Sequence, residues 1–305
     1  MNTAFLFPGQ GSQTPEMLHH LVPHQATEEV LQEMSETLGF DLRNLDSDES
    51  LKSTVSVQLA LLGAGVATAR VLIQQGLQPT TVAGLSVGAF AAAVIAEAIT
   101  LSDATRLVRL RAEQMEKMYP IGYGMAALIG LDERTVSQLV HKVSKEHDPV
   151  FVGNINAPRQ IVIVGSIAGL KQAMALALRF GARKAELLDV AVPSHCRLME
   201  PVTRLLHEKL QGMPVRDPQF VYISNVRARA IRFAEGIASD LTDNIAYSVR
   251  WHDATIVAHE LGCELFLEMQ PGHILSDLVR DNLPGVEAYP VLPDNLKWIL
   301  TRARK

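Results

Sequence analysis

A serine framed by glycines, Gly84-Leu85-Ser86-Val87-Gly88, is where this chain could carry nucleophilic chemistry. A short apolar run, Thr80 to Ala83, precedes it, and an alanine-rich run, Ala89 to Ile99, follows. Gly-x-Ser-x-Gly between a strand and a helix is the pattern of a nucleophile elbow: the glycines permit a tight, strained turn that holds the serine hydroxyl above the sheet edge. Amides at the start of the next helix favour negative charge, so the N–H of Val87 is a natural oxyanion donor. The plain alternative is a turn leading into a core helix, because five-residue patterns recur by chance.

Serine is a poor nucleophile at its free pKa and needs a base within hydrogen-bond reach. Of the ten histidines, His19, His20 and His24 lie in a polar stretch, and His141, His147, His207 and His259 fall on or beside charged helical segments, where solvated surface is expected. His195 follows Val190-Ala191-Val192-Pro193-Ser194. An apolar strand ending at that proline would fix its side chain beside a domain junction, although a satisfied core histidine reads the same way. Cys196 lacks an elbow and reads as packing. A third candidate lies on the helix expected from about Ser102 to Met118, where Arg111 shares a face with Leu107 and Met115. A guanidinium pointing inward needs an anion, either an internal carboxylate or a carboxylate on a substrate gripped by parallel hydrogen bonds.

Positioning these groups requires a substantial α/β core. The chain has 305 residues, 48% hydrophobic and 20% charged, with no low-complexity tract. Thr3 to Phe7 reads as a buried strand, followed by the glycine-bearing loop Pro8 to Gln13, and a mostly helical region runs to about Gln75. From Gly124 to Val190 the order becomes strand (Met125 to Ile129), helix (Glu133 to Ser144), strand (Val150 to Asn154), strand (Gln160 to Val164), helix (Ile167 to Phe180), strand (Lys184 to Val190). That βαββαβ order is ferredoxin-like. Pro120, Gly122, Gly124 and Pro193 are the expected hinge points, and strands at Phe220 to Ser224 and Glu264 to Met269 resume the first pattern. The expected architecture is therefore a parallel-sheet α/β domain, residues 1–122 and 192–305, with a small ferredoxin-like domain, residues 123–191, inserted in it.

A formal charge of −5 and 5% aromatic residues argue against a nucleic-acid or anionic-lipid partner. Neither the run Ala4 to Phe7 nor Ala89 to Ile99 reads as a leader or a membrane span, and two cysteines, Cys196 and Cys263, make neither a disulfide framework nor a four-ligand zinc site. A cytoplasmic location is expected. No nicotinamide fingerprint, Walker lysine or metal-ligand constellation is evident.

Together the motifs resemble the malonyl-CoA:acyl carrier protein transacylase family over nearly the whole chain. The resemblance rests on Phe7-Pro8-Gly9-Gln10-Gly11-Ser12-Gln13, Gly84-Leu85-Ser86-Val87-Gly88, Arg111 placed 25 residues after Ser86, and Val192-Pro193-Ser194-His195. It implies a hydrolase-like α/β domain with a ferredoxin-like insertion. Ser86 would be the nucleophile, His195 the base oriented by backbone carbonyls, Arg111 the clamp on the malonyl carboxylate, and the amides of Gln10 and Val87 the oxyanion hole. The implied reaction is a ping-pong transfer of malonyl from malonyl-CoA to the prosthetic-group thiol of an acyl carrier protein. CoA thioester is the substrate, and no tightly bound cofactor or metal is implied.

Departures from the family cluster around the acyl site. Leu85 stands where most members have histidine, Ala89 where they have glutamate, Arg250 where glutamine is common, and Gln270-Pro271-Gly272-His273 replaces Gly-Pro-Gly-Lys. Leu85 and Arg250 are therefore candidate substrate-binding positions. The string Gly-Leu-Ser-Val-Gly-Ala-Phe is similar to the epsilon subunit of malonate decarboxylase, which loads that complex's own carrier. This makes the decarboxylase carrier, with the other decarboxylase subunits as partners, the first expectation and a fatty-acid or polyketide transacylase the second. A thioesterase and a non-catalytic carrier-docking subunit are the remaining readings. Arg227, Arg229 and Arg232, or Arg179, Arg183 and Lys184, could meet CoA phosphates or an acidic carrier face, with scattered solvated charge as the plain alternative.

Overall fold

The computed structural model describes residues 1–119, 121–190 and 192–304, so the hinge expected at Pro120 lies outside the described residues. The chain opens with β1 (Thr3–Phe7), α1 (Gln25–Leu38), α2 (Thr54–Gln74), β2 (Thr81–Gly84), α3 (Gly88–Ile95) and α4 (Leu101–Met118). A compact unit follows: β3 (Tyr123–Ile129), α5 (Glu133–Val143), β4 (Val150–Ala157), β5 (Gln160–Ser166), α6 (Ile167–Arg179) and β6 (Lys184–Leu187). The remainder comprises α7 (Glu200–Gln211), β7 (Val221–Ile223), β8 (Ala230–Ile231), α8 (Ala234–Asp243), α9 (Trp251–Glu260), β9 (Leu265–Glu268), α10 (Ile274–Asn282), β10 (Glu287–Pro290) and α11 (Leu296–Ala303).

Two sheets result. The larger has the order β10-β9-β1-β2-β7-β8 and is parallel except for the short hairpin strand β8. Alternation along β1 makes it three-layered: Phe5 and Phe7 pack with α2 and α3 on one face, while Ala4 and Leu6 pack with α9 and α10 on the other. Helix α2 is long and apolar enough to cross a membrane, but here its side chains lie buried within the protein, against α1, α3 and α4. The smaller sheet, order β4-β5-β3-β6, is wholly antiparallel and carries α5 and α6, the ferredoxin-like order expected from the βαββαβ pattern.

Several details differ from the sequence expectation. Gly124, expected as a hinge, lies within β3 and pairs with Gly165 of β5. Strand β6 stops at Leu187 rather than Val190, because its residues alternate no buried face and the chain turns where Val190 N–H bonds the Leu188 carbonyl. His195 therefore sits in a loop and not at a strand end. Strands β8 and β10 are additional; each lies at a sheet edge, where only Ile231 and Ala288 respectively are buried and no apolar run announces them.

The elements place the site. Strands β1 and β2 pair in register from Ala4 opposite Thr81 to Phe7 opposite Gly84, so the loop after β1 and the elbow after β2 leave the same sheet edge side by side. The chain departs from β1 toward β2 on one side and later returns to β9 on the other, and the carboxyl edge beside such a reversal is where open α/β sheets form crevices. The small sheet is held over this edge by the segment before α9: Val249 N–H bonds Gly153 O at 2.9 Å and Ile155 N–H bonds Val249 O at 2.8 Å.

Candidate active site

Three glycines make the elbow possible. A Cβ on Gly84 would lie 2.0 Å from the Gly88 carbonyl carbon, one on Gly88 would lie 2.2 Å from Phe7 O, and one on Gly9 would lie 2.6 Å from Leu85 O. Any side chain at these positions collides with backbone, so the loop after β1 and the elbow can touch only as glycine. Ser86 takes the left-handed conformation, φ 55°, between β2 and α3, a geometry that costs a non-glycine residue about 1–2 kcal/mol. Neither the backbone N–H of Val87 nor that of Gln10 donates to a protein acceptor among the described residues. Both belong to the two loops in contact at this edge, which leaves them available to a developing oxyanion.

Arg111 enters from α4, on the face that also buries Leu107, Val108 and Met115. It is wholly buried, and its partners are neutral: Nη1 donates to Gln58 Oε1 at 2.5 Å, and Nη2 to Ser86 Oγ at 3.0 Å and to Asn244 Oδ1 at 3.5 Å. Its Nε has no partner among the described residues. Among the described residues no carboxylate pairs with it. Burial without an anion pushes its pKa down to about 9. Of the two partners the sequence allowed, the internal carboxylate is not found among the described residues.

His195 is also buried, with φ 64°. Its Nδ1 lies 2.5 Å from the backbone carbonyl of Asn244. A carbonyl can only accept, so Nδ1 carries the hydrogen and Nε2 keeps its lone pair. Burial, followed by the nearby charge of Arg111, holds the imidazole pKa down to about 3, against the upward pull of the Asn244 bond. At neutral pH the ring is an uncharged base in the tautomer a serine would need. Ser86 Oγ accepts from Arg111 and makes no direct hydrogen bond to His195 among the described residues; catalytic hydrogen bonds often tighten only when substrate is bound. A groove of about 620 Å³ reaches His195 between α5 and β4 of the small domain and the segments around Cys196 and Tyr247, with Phe151, Arg197 and Tyr247 among its walls, and the Arg197 guanidinium lies 5.1 Å from the Phe151 ring centre.

The structure thus brings Ser86, His195, Arg111, Gln10 and Val87 to one sheet edge, and it does not bring Arg250 with them. Arg250 donates through Nη1 and Nη2 to the two oxygens of Glu133, at 3.1 and 3.3 Å, and through Nε to Asp253 at 2.6 Å. Its guanidinium ties α9 to the small domain rather than facing the serine. Leu85 is half-buried and packs with the α9–α10 layer. Cys196 is packed as expected: its thiol donates to Pro193 O, and burial pushes its pKa up to about 12. The docking candidates Arg227, Arg229, Arg232, Arg179, Arg183 and Lys184 are all exposed.

Three site residues escaped the sequence reading. Gln58 was detectable in principle, as a polar residue inside the apolar helix α2. Asn244, just past α8, carries no local signal, although its carbonyl orients His195 and its side chain accepts from Arg111. Asn225, two residues past β7, accepts the Ser86 N–H at 2.9 Å.

An acyl transferase domain matches residues 4–295. The chain is 37% identical over 284 residues to the malonyl CoA-acyl carrier protein transacylase of Bacillus subtilis strain 168, covering 91% of this chain and 89% of that protein. Among solved structures it superimposes on the acyl-carrier-protein S-malonyltransferase of Burkholderia pseudomallei 1710b with a TM-score of 0.93 at 35% identity, covering 99% of this chain and 100% of the other. It also matches a structure described as a type II PKS acyl-carrier protein in complex with its malonyl-transacylase, with a TM-score of 0.94 at 34% identity, covering 99% and 100%.

Proposed function

The chain belongs to the acyl transferase domain family, among the malonyl-CoA:acyl carrier protein transacylases, and from that premise we propose that it carries malonyl from malonyl-CoA to an acyl carrier protein as an ester on Ser86. The observation that carries this reading is Arg111: a buried guanidinium beside the candidate nucleophile, held among the described residues by neutral acceptors and with its Nε unbonded there. A malonyl carboxylate supplies the missing anion. An acetyl group would leave the charge uncompensated, which costs a few kcal/mol.

In the proposed sequence, His195 Nε2 takes the Ser86 proton as Oγ attacks the thioester carbonyl, and the oxyanion sits on the N–H groups of Gln10 and Val87. The carbonyl re-forms, the C–S bond breaks, and His195 returns the proton to the CoA thiolate. The carrier's thiol then gives its proton to His195, attacks the ester, and regenerates Ser86. No resident cofactor is needed, and a cytoplasmic setting suits both substrates.

The relatives' names, malonyl CoA-acyl carrier protein transacylases and one malonyl-transacylase in complex with a type II PKS carrier, favour a fatty-acid or polyketide carrier over the malonate decarboxylase carrier that the elbow string suggests. The second reading rests on Leu85 and Ala89 flanking the elbow. Incubation with malonyl-CoA or acetyl-CoA, followed by quenching and peptide mass spectrometry, tests the common step. A malonyl ester on Ser86 is expected, absent in Ser86→Ala and scarce with acetyl-CoA. Adding each carrier to the loaded enzyme then decides between the two readings by which one discharges the ester. If Ser86→Ala supports unchanged transfer, the Ser86 mechanism is wrong.

A further inference from the structure

We infer that Asn225 is a positioning residue for the elbow, its side-chain amide standing in for a strand that has turned away; the inference rests on the reading of Ser86 as nucleophile. Parallel pairing of β2 with β7 runs from Thr81 opposite Val221 to Ala83 opposite Ile223. Continued by two residues, that register sets Leu85 opposite Asn225. A parallel partner of Leu85 would donate its N–H to Gly84 O and accept the N–H of Ser86. The side chain of Asn225 makes these same two bonds: Nδ2 donates to Gly84 O at 2.7 Å, and Oδ1 accepts from Ser86 N–H at 2.9 Å.

The backbone of Asn225 is occupied elsewhere. Its N–H donates to Asp240 Oδ2 at 3.1 Å and its carbonyl accepts from Arg250 N–H at 2.8 Å. Asp240, buried on α8, also accepts from Tyr222 Oη at 2.7 Å, Ser224 Oγ at 2.5 Å and Val226 N–H at 3.2 Å, so its carboxylate fixes the whole turn after β7. Asn225 itself is 3% exposed. Ser86 is held in its left-handed geometry from both sides of Leu85 by one rigid amide. Tying down the Ser86 N–H also leaves the next amide, that of Val87, as the one directed at substrate. An amide of asparagine length offers both a donor and an acceptor at peptide spacing here without having to take up a proton.

The test compares Asn225→Ala and Asn225→Asp with the wild type in rapid-quench formation of the malonyl ester on Ser86. For Asn225→Ala the acylation rate constant should fall about 100-fold, while the concentration of malonyl-CoA for half-maximal rate stays within about threefold, because Arg111 does not touch Asn225. Asn225→Asp keeps the size but, ionised, cannot donate to Gly84 O and sets negative charge beside the developing oxyanion. Protonated, it regains both a donor and an acceptor. Its rate relative to wild type should therefore rise as pH falls from about 7.5 to about 5. Acylation per folded molecule within about threefold of wild type at every pH in both variants, with loss confined to melting temperature or yield, would overturn the inference. Should Asn225→Ala fail to fold, the pH profile of the near-isosteric Asn225→Asp decides alone. A wild-type protein that forms no ester counts against Ser86 as nucleophile, and is thereby distinguished from a failure of the Asn225 role.

Discussion

Arg111 and Arg250 are both arginines that the sequence offered for substrate binding, and their surroundings send them in opposite directions. Arg111 lies wholly buried among neutral acceptors, and its pKa is pushed down to about 9 by desolvation. Arg250 is partly exposed, and its hydrogen bonds to Glu133 and Asp253 raise its pKa. A guanidinium already neutralised by two carboxylates has little to offer a third anion. One left without any, in a site that water does not screen, gains most from a substrate that brings its own.

The largest expected effect separates the two arginines by activity. Arg111→Ala should lower malonyl loading of Ser86 about 100-fold or more, while Arg250→Ala changes it by less than about tenfold; competition between malonyl-CoA and acetyl-CoA in the loading assay reads both. Equal losses would mean that Arg250 reaches the substrate and would break the contrast.

His195 sharpens it next. His195 is held near 3 in the folded protein but titrates near 6.5 when unfolded. The unfolded chain therefore binds the proton first, and stability is lost as pH falls from about 6.5 toward about 3, by at most about 1.4 kcal/mol per pH unit. Because Arg111 contributes to that depression, Arg111→Met should move the acid limb of the acylation rate to higher pH, and Arg250→Met should leave it in place. Full pH profiles of the three proteins check this.

Stability gives a smaller difference of opposite sign. Removing an uncompensated buried charge in Arg111→Met should leave the unliganded protein as stable or more stable by about 1 kcal/mol. Arg250→Met loses about 1 kcal/mol or less, because its pairs are more than a third exposed and screened by solvent. Urea titrations of both variants decide the order. Glu133→Gln should show the smallest effect, a few tenths of a kcal/mol that disappears at high salt.

Much of this was legible in the chain. The elbow could be read because the collisions that require Gly84 and Gly88 arise within a few residues of Ser86 and from the adjacent strand end. Arg111 could be turned inward because helical periodicity puts it with Leu107 and Met115. The ferredoxin-like unit could be read because its elements other than β6 carry apolar patterns of their own, whereas β8 and β10, short and at the sheet edges, had none. His195 was identified for an incomplete reason: the expected strand does not reach it, and a carbonyl 49 residues away fixes its ring.

Sequence alone determined the features set by local sterics and local periodicity: the tight turn at Ser86, the inward face of α4 and the order of strands and helices. Tertiary structure decided which partners those groups meet. Arg111 meets Gln58 across 53 residues, Ser86 is held by Asn225 across 139, and Arg250 is claimed by Glu133 across 117. The charge state of a buried group and the direction of its hydrogen bonds depend on atoms within a few ångströms in space. Where such neighbours come from distant parts of the chain, no local pattern encodes them, and only the packed sheets and helices bring them together.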